Sequence, residues 1–242
     1  MRTSERHHLK DNELAIVLGH ASDFTARNKR TLTMTAVALV LVGVATGAFF
    51  AWRASVDTRS REAMAQAMVV YEARVVPPAP SPEGVASAPA LNTYPSEKAK
   101  LEAALPKFMA AADAYPSSDA GRTARFHAAG ILVTLGRYDE AMQQFDQLAS
   151  SGGLLGQSAQ LGKAEAQLRA GQHDAAIATF KQVSERSDSP LPKEAVLLEL
   201  ARAYKVAGKT EDAKKTLNQI VEQHADSPSA QAARQELEKI AS

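Results

Sequence analysis

The chain has 242 residues, enough for one membrane anchor and one compact domain, and 45% of them are hydrophobic. Its 28 Lys and Arg residues nearly balance 27 Asp and Glu residues, so it lacks the basic excess that nucleic-acid binders use. It has no cysteine, which excludes disulfides, thiolate metal sites and a cysteine nucleophile. Only 5% of the residues are aromatic and alanine is abundant, which favours packed helices over strands. We therefore expect an all-α fold.

An uncharged stretch near the N-terminus predicts a transmembrane helix over residues 31–52. The 22 residues from Thr31 to Trp52 carry no charge, and a helix of that length spans roughly 33 Å, against a hydrocarbon core of about 30 Å. Phe49, Phe50 and Trp52 lie at its C-terminal edge, where aromatic rings favour the membrane interface. A cleaved signal peptide is the alternative, but a polar tail, residues 1–30, precedes an apolar run that is too long for one.

The basic residues beside this span predict its orientation. Arg27, Lys29 and Arg30 lie within four positions on the N-terminal side, whereas Arg53 is followed by no basic residue until Arg59. Counted over fifteen residues, the two flanks tie at three basic residues each. The denser N-terminal cluster favours a cytoplasmic tail and places the rest of the chain across the membrane.

A line of small residues follows one face of the predicted span. Gly43 and Gly47 form a GxxxG pair that Ala51 continues, a spacing that lets a second membrane helix approach closely. The functional interpretation is a partner helix, including a second copy of this chain. The alternative is that a span rich in Gly, Ala, Val and Thr produces the spacing by chance.

Two different segments follow the span. A juxtamembrane helix is predicted over residues 53–76 because apolar residues recur with helical spacing at Met64, Met68, Tyr71 and Val75. Residues 77–96 contain six of the eleven prolines of the chain and predict an extended proline-rich linker.

Residues 97–242 contain a repeated pattern. Three copies have a glycine, then an acidic pair or a single acidic residue, then an alanine, and four residues later an aromatic or aliphatic residue, and an earlier copy has the alanine and the aromatic residue without the glycine. The glycines are Gly136, Gly171 and Gly208, and the alanines are Ala104, which lacks the preceding glycine, Ala141, Ala176 and Ala213. The alanines are separated by 37, 35 and 37 residues, which is close to the 34-residue period of a tetratricopeptide repeat.

The chemistry of this pattern is that of packed helical hairpins. Glycine permits the left-handed conformation that ends a first helix, acidic residues begin the second, and alanine lets the two helices meet closely. Stacked hairpins bury their apolar faces against one another, and the stretch from Ser229 to Ile240 predicts a final capping helix. The prediction for residues 97–242 is a tetratricopeptide-like α-solenoid.

At these residues the sequence resembles the tetratricopeptide family, and its joints Tyr115-Pro116-Ser117-Ser118 and Asp226-Ser227-Pro228 look like those of bacterial envelope repeat proteins. The layout of tail, span and repeats is similar to the YfgM-like ancillary subunits of the bacterial Sec translocon, on the residues Ala51-Trp52-Arg53, Val56-Asp57, Ser60, Ala63 and Tyr71. The resemblance implies an inner-membrane protein whose periplasmic repeat domain works beside the translocon and a membrane-bound chaperone of the prolyl-isomerase type. The longer tail and the proline-rich segment depart from that layout.

The sequence contains none of the motifs that we associate with catalysis or cofactor binding. None of the six histidines has the spacing of a zinc helix, and there is no P-loop, dinucleotide fingerprint or GxSxG motif. His173 takes the place of Tyr138 of the preceding repeat, which favours a packing role. We expect no enzyme activity, no cofactor and no metal site.

The repeat register predicts a partner-binding groove along the first helices of the hairpins. The fifth positions of these helices are Phe126, Leu161 and Leu198, and the ninth and twelfth positions add Glu165, Leu168, Arg202 and Lys205. The expected groove is an apolar line with a basic end, suited to extended hydrophobic segments of unfolded chains. The alternative is that the apolar residues only pack between neighbouring hairpins.

The functional hypothesis is a non-enzymatic, membrane-anchored periplasmic protein that binds clients or partner proteins near the Sec translocon. A scaffold of another envelope complex, in cell division or secretion, is one alternative. A docking subunit for a catalytic partner is the other.

Overall fold

The structure is a computed structural model that describes residues 29–77 and 93–241. These residues are mainly helical, as expected for an all-α fold. Apart from Lys29 and Arg30, the predicted cytoplasmic tail lies outside the described residues, as does most of the predicted linker. In chain order the elements are α1 Lys29–Tyr71, β1 Arg74–Val75, β2 Thr93–Tyr94, α2 Glu97–Ala114, α3 Asp119–Thr134, α4 Tyr138–Ala149, α5 Gly153–Arg169, α6 His173–Ser184, α7 Lys193–Val206, α8 Thr210–Gln223 and α9 Pro228–Ala241.

The chain divides into two compact units, and the first, which ends at Ser55, contains the apolar part of α1. An 18-residue window of this helix has a mean hydropathy of 2.2 and none of it is buried. The hydroxyl groups of Thr33, Thr35 and Thr46 donate to backbone carbonyl groups one turn earlier, at 2.7 to 2.9 Å. These donors are therefore satisfied within the helix, as a lipid environment requires. By length and composition, α1 can cross a membrane.

The second unit begins at Val56 and contains the repeats. The helices α3 and α4, α5 and α6, and α7 and α8 form three successive hairpins, and α9 packs against the last of them. The predicted solenoid is therefore present, and its final helix is found at Pro228–Ala241, with Ala230 and Ala233 fully buried.

All three hairpins turn in the same way. The glycines that end the first helices have positive φ angles of 76° at Gly136, 77° at Gly171 and 72° at Gly208. In each turn the amide after the glycine donates to a carbonyl five residues earlier, at 2.8 to 2.9 Å: Arg137 to Leu132, Gln172 to Gln167 and Lys209 to Tyr204. This Schellman arrangement satisfies carbonyl groups that the helix end leaves free, and it explains the periodic glycines.

The core follows the predicted pattern. The motif alanines of the second helices, Ala141, Ala176 and Ala213, have no exposed surface. The residues four positions later, Phe145, Phe180 and Leu217, are 2 to 3% exposed. One apolar cluster extends from α1 to α5 and a second from α5 to α9. The small alanine at each crossing lets the backbones approach, and the larger residue fills the space beside it.

The C-terminal part of α1 belongs to the repeat unit. Ser60 is 1% exposed and Ala67 is fully buried, and Ala67 is part of the first apolar cluster. The Tyr71 ring lies edge-on to Phe108 of α2 at 5.9 Å and to His127 of α3 at the same distance. This stretch therefore packs beside α2 as a further helix before the first complete hairpin.

The juxtamembrane helix is shorter than predicted. It ends at Tyr71, and Arg74–Val75 instead form a strand that pairs in parallel with Thr93–Tyr94. The amide of Val76 also donates to the carbonyl of Tyr94 at 2.8 Å. Pro77 disfavours helix at the residue before it, and β-branched valines favour extended backbone, so the helix prediction to residue 76 was wrong at its end. The two ends of the proline-rich segment consequently lie side by side.

Candidate protein-binding face

The seven residues predicted to line the groove lie on three first helices. Phe126 is on α3, Leu161, Glu165 and Leu168 are on α5, and Leu198, Arg202 and Lys205 are on α7. We call this surface the first-helix face. The identical turns at Gly136, Gly171 and Gly208 hold the three helices in the same register, so equivalent positions form rows across the domain.

The apolar members of this face pack largely into the core. Leu198 is 8% exposed and belongs to the second apolar cluster. The half-buried Leu161 and Leu168 pack against this cluster. The ring of Phe126 lies edge-on to that of Phe145, with 5.6 Å between centroids. Packing between neighbouring hairpins therefore accounts for these four side chains, and a further role in binding partners stays a prediction.

A glycine makes the aromatic packing under this face possible. A Cβ atom on Gly162 would lie 2.4 Å from the ring of Phe145. Only a residue without a side chain fits between this ring and the backbone of α5. The periodicity of the repeats did not single out Gly162, because its role depends on a ring that is distant in sequence.

The charged members of the face are all in ion pairs. Arg169 donates to Glu165 at 2.7 Å and Arg202 donates to Glu199 at 2.7 Å. Lys205 contacts Glu236 of α9, which Lys239 also approaches at 3.2 Å. The hydrogen bond from Lys205 is the main cause that lowers the pKa of Glu236. The expected basic end is therefore neutralised by a carboxylate from the capping helix.

The exposed side chains of this face are small, uncharged or held in ion pairs. Gly130 and Thr134 are exposed on α3, and Val206, which is 54% exposed, adds an apolar side chain on α7. Ion pairs at an exposed surface contribute little to stability, about 0 to 1 kcal/mol each, so a partner can exchange them for contacts of its own. The exposed part of this face is therefore mainly polar, with few apolar side chains, and its role in binding a protein stays a prediction.

A buried polar network is a feature that the sequence analysis missed. Arg125 on α3 is 6% exposed. Its guanidinium donates to Gln144 of α4 at 2.6 Å and to Asp113 of α2 at 2.7 Å. The signal was available, because Arg125 stands eleven residues before Gly136, where the other repeats have Gln160 and Leu197. A cation at one of three equivalent core positions indicates a local network.

The histidines and carboxylates of the described residues form no cluster. Within residues 29–77 and 93–241, no group of three or more His, Asp or Glu residues could hold a metal ion. His127 stacks on Phe108 with 5.2 Å between ring centroids, and burial lowers its pKa below the ordinary value of 6.5. His173 begins α6 and is half-buried, as is Tyr138 at the start of α4. These positions are consistent with packing roles.

The small residues of the predicted membrane interface lie along one side of α1. Gly43, Gly47 and Ala51 are exposed, and a Cβ atom on either glycine would meet nothing within 4 Å. The face is open to a second helix, and the pairing stays a prediction.

Comparisons with known proteins place the repeats in a family. Tetratricopeptide-repeat models match residues 97–153, 132–190 and 167–237, which together exceed half of the chain. Two crystal structures of nearly identical TPR-like repeats from a Podosopora anserina protein assigned as a kinesin light chain, one of them carrying a single substitution, are similar at 22% identity. Each alignment covers 58% of this chain and 77% of the other, with a TM-score of 0.49. The search of curated proteins finds no match. The chain belongs to the tetratricopeptide-repeat family, whose repeats serve as scaffolds for protein–protein interaction.

Proposed function

We propose that this chain is a membrane-anchored periplasmic protein that holds partner or client proteins near the Sec translocon, in the manner of a chaperone-like ancillary factor. The observation that carries the proposal is α1, a single helix with an exposed apolar stretch at one end and a segment packed into the repeat unit at the other. A binding domain fused to a membrane helix in this way works on proteins at a membrane. The basic cluster before the span favours the periplasmic side.

The translocon assignment rests on the sequence layout that resembles YfgM-like subunits. Two alternative functions would use the same anchor and repeats. One is a scaffold of a cell-division or secretion complex, and the other is a docking subunit of an enzyme. These alternatives differ in the proteins that accompany the chain, and that difference is measurable.

The test is crosslinking in native membranes from exposed positions of the first-helix face. A photoreactive amino acid at Val206 is the probe, because this side chain is exposed and removing it should not disturb the core. The matched control carries the same amino acid at Val69, which is 59% exposed on α1. Translocon subunits, or chains in transit through it, crosslinked from Val206 and not from Val69 support the proposal. Cell-division or secretion subunits in their place would contradict it.

Charge reversal separates binding from folding on the same face. Serine at Leu198 would disturb the core, because this residue is 8% exposed, so the informative change is Arg202→Glu at an exposed ion pair. We expect this variant to fold normally and to lose the crosslinks from Val206. Retained crosslinking at full strength would exclude the first-helix face as the binding surface.

A further inference from the structure

The three grooves between successive second helices differ in how they are filled. Each groove has a first helix as its floor: α3 lies between α2 and α4, α5 between α4 and α6, and α7 between α6 and α8. The central floor residue, eleven positions before the capping glycine, is Arg125, Gln160 and Leu197 in turn. We number the grooves one to three in this order.

Side chains bridge the first two grooves. In groove one, Arg125 links Asp113 of α2 to Gln144 of α4, as described above. In groove two, Lys163 of α5 donates to Asp146 of α4 at 2.6 Å, and Thr179 of α6 donates to Gln167 of α5 at 3.1 Å. In both grooves, a polar side chain of the floor helix forms a hydrogen bond with a side chain of a flanking helix.

Groove three has no such bridge between its helices in the described residues. Its floor is Leu197, Leu200 and Tyr204 of α7, and it encloses a cavity of about 350 Å³. Among the described residues, no side-chain hydrogen bond joins two of the residues that line it from different helices. The hydroxyl groups of Ser184 and Thr216 donate to carbonyl groups of their own helices, each at 2.8 Å. At the position of Arg125 in groove one, groove three has the buried Leu197, which cannot bridge the flanking helices by a hydrogen bond.

The walls of groove three carry unmatched positive charge. Lys181, Lys193 and Lys215 line it, against the carboxylates Glu185 and Asp212. Lys181 lies 3.9 Å from Glu185, and Asp212 interacts with Lys209 outside the cavity. Among the described residues, neither Lys193 nor Lys215 has an ion-pair partner within 4.0 Å, so both ammonium groups can donate to a carboxylate from outside the chain.

We propose that groove three binds a glutamate-bearing segment of a partner protein. The methylene groups of a glutamate side chain would pack on the half-buried Tyr204, because Leu197 and Leu200 are only 4% and 5% exposed, and its carboxylate would lie between Lys193 and Lys215. Groove one contains the complementary arrangement within the chain itself, with a cation at the floor and the carboxylate of Asp113 on the flanking helix.

This surface is separate from the first-helix face. Lys193, Leu197, Leu200 and Tyr204 recur with helical spacing on one side of α7, and Leu198, Arg202 and Lys205 lie on the opposite side. The domain therefore has two binding surfaces, and a partner in groove three leaves the first-helix face free. The inference stands on groove geometry and does not require the proposed role at the translocon.

The experiment measures peptide binding to the full chain in nanodiscs of zwitterionic lipid. The probe is a fluorescent, terminally blocked peptide of alternating Glu and Ala, compared with its Gln counterpart by fluorescence anisotropy. We expect the Glu peptide to bind, the Gln peptide not to bind, and Lys193→Gln with Lys215→Gln to weaken binding about tenfold, as loss of two exposed charge contacts predicts. Circular dichroism verifies that the variant is folded.

The matched control is Lys98→Gln with Lys107→Gln, which removes the same charge from exposed positions on α2. Equal weakening in the control would show general electrostatic attraction and overturn the proposal. Equal binding of the Glu and Gln peptides would also overturn it. A groove variant that still binds the peptide but no longer binds vesicles containing anionic lipid would also overturn the proposal, since the lysines would then face a membrane.

Discussion

Single small residues decide how closely the repeat helices pack. Ala141, Ala176 and Ala213 are fully buried at equivalent positions of α4, α6 and α8. A larger side chain at such a crossing must push the two helices apart or adopt a strained rotamer. The motif alanines are therefore structural requirements of the hairpins.

Ala176→Leu should destabilise the domain by about 1 to 3 kcal/mol, because the added methyl groups overpack a crossing that has no free space. Ala175 precedes it in the same turn of α6 and is exposed, so Ala175→Leu is the matched control. Urea unfolding of both variants measures the difference. Similar unfolding free energies for the two would mean that Ala176 does not lie at a crossing.

The environment of His127 predicts that the stability of the repeat domain depends on pH. His127 is stacked on Phe108 beside Tyr71, and Lys100, which is paired with Glu97 at 3.0 Å, lies 5.9 Å from the centre of the Tyr71 ring. Burial lowers the pKa of His127 from 6.5, so the folded state favours the neutral ring. Between the folded and unfolded pKa values the unfolded chain binds more protons, and stability falls as the pH falls.

The domain should therefore lose stability as the pH decreases from about 7.5 to about 5.5, while His127→Phe, which keeps a stacked ring, should flatten this dependence. Urea unfolding at several pH values gives the slope for each protein. An unchanged slope in His127→Phe would assign the pH dependence to other groups.

At the scale of elements, the segment Val56–Tyr71 is the least expected part of the repeat unit. Its stripe of apolar residues predicted a helix, and the helix is present. Ala67 and Tyr71 make this helix part of the first apolar cluster, so the folded domain starts before the proline-rich segment. We infer that residues 56–76 and 97–241, which belong to the separately predicted segments 53–76 and 97–242, fold together.

Ala67→Glu should destabilise the repeat unit by about 4 kcal/mol, because it places an unpaired carboxylate in a fully buried position. Ala65→Glu, two residues earlier at an exposed position, should have little effect. The measurement is chemical unfolding of a fragment that starts at Val56. If Ala67→Glu unfolds like the parent fragment, the segment does not contribute to the fold.

Local patterns explain which elements the sequence predicted. Periodic alanines and glycines specify each hairpin within a few turns of helix, and the turns at Gly136, Gly171 and Gly208 confirm that register. The pairing of Arg74–Val75 with Thr93–Tyr94 was missed because strands of two residues have no recognisable period. The three first helices share the predicted register, whereas the burial of the predicted face and the pairing of Lys205 with Glu236 depend on contacts between distant residues.

At the scale of the whole molecule, the proposed function requires that the apolar helix α1 spans a membrane and that the repeat domain lies on its periplasmic side. The flanking charges favour a cytoplasmic N-terminus. Because the sequence contains no cysteine, single cysteines can report the side on which each region lies.

In spheroplasts, a membrane-impermeant maleimide should label Lys98→Cys, an exposed position on α2, without lysis. Ser4→Cys in the predicted cytoplasmic tail should be labelled only after the membrane is broken. The degree of labelling, read by mass shift on a gel, gives the topology. The reverse pattern would place the repeat domain in the cytoplasm and exclude the periplasmic function.

The parallel pairing of β1 with β2 has an evolutionary consequence. Val75 is held beside Tyr94, and the entropy of closing a flexible connection between two such positions changes by only about 0.6 kcal/mol when its length doubles. Selection can therefore lengthen, shorten or rewrite this stretch with little effect on the stability of the repeats. For the same reason it is a suitable insertion point for a fluorescent reporter, which would leave both α1 and the two proposed binding surfaces intact.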